Sequence, residues 1–174
     1  YSFPILVNTT FLTSANRESL HTDSKWNQWL FKSISIELFK WISVLIRGEY
    51  LFQAYNLIPQ KLTIYDDLSN AYNKGIQEAI ESISFILSKK GTLLKVSEAI
   101  TDETSLVEKD FIDEDIVRNF IKNKIGTENH INDQPFVSSH SKLKKIGVES
   151  FSWNDIPAFF AFNEFSSKYN IEKN

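Results

Sequence analysis

The chain contains no cysteine. That excludes disulfides, a Cys-ligated zinc and a cysteine nucleophile, and it inclines the reading toward an intracellular, reducing setting. Methionine is absent too, and the chain opens at Tyr1. A fragment, a processed form or a sequence lacking some residues would look like this, so patterns within short windows carry more weight than long-range spacing. Glycine is limited to 5 residues and proline to 4 of the 174. An all-β sandwich or barrel needs many tight turns, and this supply of turn formers is too small for one. An excess of one charge is missing as well. Lys and Arg total 19 against 22 Asp and Glu, a net of -3, so no nucleic-acid partner is expected. The most apolar stretch, residues 34–45, is interrupted by Glu37 and Lys40. A membrane span needs about 20 mostly apolar residues, so no transmembrane segment is expected. The start, YSFPILVNTTFL, lacks the basic region of a signal peptide. It carries one glycosylation sequon, Asn8–Thr10, of a kind that chance often supplies.

Hydrophobic residues make up 42% and charged residues 24%, the balance of a globular chain long enough to bury its own core. The periodicity predicts a mainly α, single helical domain spanning 1–174. It consists of five or six helices around a long apolar central helix, with short extended segments at 3–12 and 146–153. If those two segments pair, the class becomes α+β.

The helix at about 25–47 is capped by Asp23 or Ser24 and is apolar around most of its circumference. Lys25, Gln28, Lys32, Ser35 and Ser43 leave only a narrow polar stripe, which suits a helix packed on several sides. A short helix over 49–58 stops at Pro59. The clearest helix runs over 67–90, capped by Asp66 or Asp67. It bears a stripe through Leu68, Tyr72, Ile76, Ile80, Ile83 and Leu87, and Gly91 reads as its C′ residue. Ala71, Gly75 and Ala79 widen that stripe with small groups that let a neighbouring helix come close. Residues 92–100 fit one or two further helix turns or a strand, and lean to helix. A further helix covers about 113–125, with acids in its first turn and lysines in its last. A polar segment over about 127–145 reads as a flexible loop. The final helix begins at Asn154 or Asp155, with Pro157 in its first turn.

No assembled catalytic set is visible. His21, His130 and His140 share no helical spacing and no HExxH occurs, so the chain predicts no metal and no cofactor. Ser138, Ser139 and His140 match a hydrolase in composition alone, because neighbours in a loop do not place a hydroxyl on an imidazole. Asp110, Asp113 and Asp115 lack the glycine and distal Glu of a calcium loop. Helix N-terminal charge accounts for Asp113, Glu114 and Asp115 instead. The five glycines are isolated, so no phosphate-binding loop forms. Lys142, Lys144 and Lys145 make a small basic patch that reads as a solubilising loop.

Two features remain. Residues 101–115 hold seven acids against Lys109 alone. Aromatic residues total 24 and cluster at both 26–55 and 151–169. The expected function is therefore a non-enzymatic adaptor or scaffold domain that binds another protein, one with a basic surface. Its candidate residues are Phe151, Trp153, Phe159, Phe160, Phe162, Phe165 and Tyr169, with Asp110, Asp113 and Glu114. The alternative is a helical pocket for a lipid or other apolar ligand, or an enzyme acting on one, with Glu37 as the polar group inside an apolar face.

Overall fold

The computed structural model describes residues 1–89, 91–107, 109–125, 136–137 and 140–169. About half of the chain is helical, and the strands are two or three residues long. The chain divides into two compact units, Tyr1–Phe85 and Ile86–Asn174.

The first unit is a helix pair with an extended arm. Helix α1, Lys25–Leu45, starts where the Ser24 side chain accepts the Asn27 amide. Helix α2, Asp67–Ser82, starts where Asp66 accepts the Ser69 amide at 2.7 Å. A 3-10 helix over Leu51–Leu57 lies between them in sequence. The two α-helices pack closely, and Gly75 explains how. A Cβ at that position would lie 2.1 Å from the Ser35 hydroxyl and 2.5 Å from the Lys32 carbonyl oxygen, so only glycine fits this crossing. Phe31, Leu38, Phe39 and Ile42 meet Leu68, Tyr72, Ile76 and Ala79 in the core.

Residues 3–12 form no named strand and do not pair with 146–153. They dock as an arm, with the Phe3 and Phe11 rings 5.5 and 5.7 Å from Phe31. Buried Asn27 fastens this arm. Its side chain accepts from the Leu12 amide and donates to the carbonyls of Leu12 and His21.

Helix α1 departs from the expected central helix, apolar and packed all round. Trp26, Trp29, Trp41 and Val44 are exposed, while Ser35, placed on the polar stripe, is fully buried. The reason is local. A close helix crossing wants small groups at the contact, and the Ser35 hydroxyl satisfies itself on the Lys32 carbonyl at 2.8 Å.

The second unit uses shorter pieces. Helix α2 ends at Ser82 rather than continuing to 90, and Ile83 is already extended. The β-branched and aromatic run Ile83–Ile86 favours that change. Strand β1, Ile86–Leu87, pairs antiparallel with β2, Leu93–Leu94, and Gly91 takes a φ of +85° in the turn between them. Residues 96–98 form a 3-10 turn and Ile100–Asp102 form β3, so over 92–100 the strand alternative describes the ends and the favoured helix is reduced to that turn. Strand β3 is the centre of a parallel sheet. Phe136–Val137, β4, lies on one side and Glu149–Phe151, β5, on the other. Helix α3, Glu114–Ile125, and helix α4, Ser141–Lys145, connect these strands in sequence.

The final helix is broken in two, α5 over Ile156–Phe160 and α6 over Asn163–Lys168, because Phe162 between them is extended. The break lets Phe159, Phe162 and Phe165 pack with Phe120, Phe151 and the α3 aliphatics in one core. The loop expected at 127–145 falls mostly outside the described residues, as do Gly126, His130, Ser138, Ser139 and the tail 170–174. Its last part, from Ser141, is α4.

Candidate functional site

The acidic run of residues 101–115 is divided by the fold into an inner and an outer part. Asp102 points inward and is 8% exposed. One carboxylate oxygen accepts the Thr104 amide and hydroxyl at 2.9 and 2.6 Å. The other accepts the Val107 amide at 2.9 Å. This carboxylate is spent on tying the loop that follows β3. Glu103 pairs with Lys144 at 3.0 Å. The outer acids follow, with Asp110 held at a φ of +57° as the chain turns toward α3.

Asp113 stands just before α3. Its Oδ1 accepts the Asp115 amide at 2.8 Å and its Oδ2 pairs with the Lys168 ammonium at 2.5 Å. The Lys168 hydrogen bond outweighs partial burial and lowers the Asp113 pKa. The Tyr169 hydroxyl accepts the Asp113 amide at 3.4 Å. These bonds bring the end of α6 to the start of α3.

The result is a cleft of about 460 Å³. Asp110, Asp113, Glu114 and Asp115 supply its acids, Val107 and Ile112 its apolar contacts, and Arg118 and Tyr169 complete it. Arg118 is bonded to Asp115, whereas Asp110 and Glu114 form no ion pair among the described residues. The cleft therefore presents two carboxylates that no described cation of the chain pairs with, beside an aromatic ring.

The sequence candidates thus meet in part. Asp110, Asp113, Glu114 and Tyr169 share the cleft. Phe160 is half exposed and its ring lies 5.0 Å from Phe165, which lies 4.7 Å from Tyr169. Trp153 is exposed. The other candidates are packing groups: Phe151 and Phe159 are fully buried, Phe165 is 7% exposed, and Phe162 is packed against their cluster. Arg118, Val107 and Ile112 were not picked out in advance, and Asp115 was read only as helix N-terminal charge. The Asp115–Arg118 spacing of three on a helix was a usable signal for one of those pairs, but nothing in the sequence marks Val107.

Away from the cleft, Asp155 is a second buried carboxylate. Burial raises its pKa, but hydrogen bonds from Lys124 at 2.6 Å and from Ser152 outweigh this and bring it below the ordinary range. It joins α3 to the approach of α5. His140 caps α4 by accepting the Lys142 amide on its ring nitrogen. Glu37, the candidate interior carboxylate, lies on the surface and pairs with Lys40 at 2.7 Å. Among the described residues, no group of three or more His, Asp or Glu is placed to hold a metal ion, and no helix is long and apolar enough to cross a membrane. Compared with known proteins, the chain matches no family model, no curated sequence and no solved structure.

Proposed function

We propose that this chain is a non-enzymatic interaction module whose second unit holds a basic segment of another protein. The observation that supports this reading is the cleft between the outer acids and Tyr169. Its two carboxylates left without a cation among the described residues attract a Lys or Arg side chain, and a ring at the rim adds a cation–π contact of about 0.5–1 kcal/mol for an exposed site. Its charge would steer association and fix orientation more than it would set raw affinity.

The experiment is a binding titration with two labelled peptides of equal length, one rich in Lys and Arg and one rich in Glu. The basic peptide should bind at least tenfold more tightly, and binding should weaken as salt rises, since exposed charges are screened beyond about 8–10 Å at physiological ionic strength. The double variant Asp110→Asn and Glu114→Gln should lose that preference while keeping the parent's circular dichroism. Equal binding of both peptides, or a preference that survives the double variant, overturns the reading.

A further inference from the structure

All four tryptophans of the chain are exposed, and three of them lie on one face of α1. Trp26, Trp29 and Trp41 are 47%, 56% and 47% exposed, and Val44 is 66% exposed. At 100° per residue, positions 26, 29, 33, 37, 41 and 44 fall within about 60° of one direction, opposite the side that packs on α2; buried Leu30 and exposed Lys40 fall in the same sector. Tryptophan carries a large apolar surface that folding ordinarily covers. Here the Trp26 and Trp29 rings stack on each other at 5.2 Å, and the Trp26 indole donates to the Thr10 carbonyl at 2.8 Å. The rings are held in place yet left open.

We propose that this face of α1 is a two-fold interface with a second copy of the chain, the two α1 helices running antiparallel. The spacing of the face supports this. Its positions are symmetric about residue 35: 26 matches 44, 29 matches 41, and 33 matches 37. A two-fold contact must present the same patch to itself in reverse order, and this face does so. Its exposed apolar groups lie at both ends, and its polar groups, Ser33, Glu37 and Lys40, lie between them. An antiparallel pair centred on residue 35 sets Trp29 level with Trp41 of the second copy, and Trp26 level with its Val44.

Charge and area agree. Glu37 is neutralised within its own chain by Lys40 at 2.7 Å, so two such faces meet without net repulsion. The three indoles and Val44 expose on the order of 400–500 Å² per copy. Pairing two faces therefore removes at most about 1,000 Å² from these groups, the lower bound for a specific interface and the range of a weak, concentration-dependent dimer.

The absence of cysteine makes the test clean. In Ser33→Cys, the new thiols of an antiparallel pair lie four residues apart along the axis, about 6 Å, and a short bifunctional maleimide should link two copies. Ser167→Cys, on exposed α6, serves as the control and should not be linked at the same concentration. Sedimentation equilibrium of the unaltered chain should show a monomer–dimer equilibrium. Trp29→Glu with Trp41→Glu should shift it to monomer with unchanged circular dichroism. A chain that stays monomeric to millimolar concentration overturns the proposal. So does a dimer that survives the double variant, or one in which the Ser33→Cys variant is not linked; these two outcomes place the dimer contact away from this face. The peptide titration reads the other unit and is decided independently.

Discussion

The two units of this chain reach a packed core by different routes. The first relies on two long helices, and its tightest point is a contact without a side chain, Gly75 against Ser35 and the Lys32 carbonyl. The second has elements of two to twelve residues and fills its centre with rings. Phe120 lies edge-on to Phe159 at 5.4 Å and to Phe151 at 6.3 Å, and Phe159 lies 4.9 Å from Phe165. Both units bury large rings, Phe31, Phe39, Tyr55, Tyr72 and Phe85 in the first and Phe151 and Phe159 in the second, but the short elements of the second bring theirs together in a single cluster. Long helices can instead gain burial along their length, provided that their axes come close. The second unit also holds its irregular backbone with buried carboxylates, Asp102 and Asp155, whereas the described first unit buries no charged residue.

The sharpest way to break this contrast is to remove a ring from the second unit. Phe159→Ala deletes a fully buried side chain at the junction of Phe120, Phe151 and Phe165. Loss of about 3–5 kcal/mol is expected in denaturant unfolding. Its sequence neighbour provides the comparison: Phe160 is 49% exposed, and Phe160→Ser should cost well under half as much. Equal losses would show that α5 is not oriented as described.

The matching perturbation in the first unit adds an atom rather than removing several. Gly75→Ala places a methyl where the Ser35 hydroxyl and the Lys32 carbonyl stand. The hydroxyl can rotate, but the carbonyl belongs to the α1 backbone, so the helices must separate. Helix propensity alone would favour alanine by about 1 kcal/mol. A net destabilisation of about 1–3 kcal/mol is expected, and adding Ser35→Ala should recover only part of it. Net stabilisation would mean that the crossing is looser than these distances imply.

This contrast also sets what could be read in advance. Helix α2 announced itself through its Asp66 cap, its apolar stripe and the small row Ala71, Gly75 and Ala79. The same row implied a close partner, and small groups on α1 would have pointed to Ser35; counting it as polar surface hid the answer. The strands β1 to β5 are too short for a period of two to appear, and the turn out of β3 depends on Asp102 accepting bonds from residues up to five positions further on. A helix drawn over 154–169 missed the bend at Phe162, because a ring that fits a helical stripe also fits a bent chain that reaches the same core. In the cleft, the acids were visible as composition. That Tyr169 joins them depends on the Lys168–Asp113 pair, 55 residues apart in sequence.

The smallest expected effect concerns a polar atom inside the first unit. Tyr72 is fully buried, with its ring 5.1 Å from Phe3, and its hydroxyl finds no hydrogen-bond partner among the described residues. Burial without a partner costs about 1–3 kcal/mol for such a group, so Tyr72→Phe should leave stability unchanged or raise it by about 1 kcal/mol. The same burial pushes the phenol pKa from 10.0 up to about 12. The unfolded chain therefore releases this proton first as pH rises. The parent should lose stability between about pH 10 and 12, where the folded state binds more protons than the unfolded one. Tyr1 is pushed up to about 12 as well, by burial and by its hydrogen bond to Asp66, so Tyr72→Phe should flatten the alkaline slope without abolishing it. Unfolding midpoints of parent and variant at pH 7, 10 and 11 decide the matter. A variant less stable than the parent at pH 7 would show that the Tyr72 hydroxyl has a partner after all.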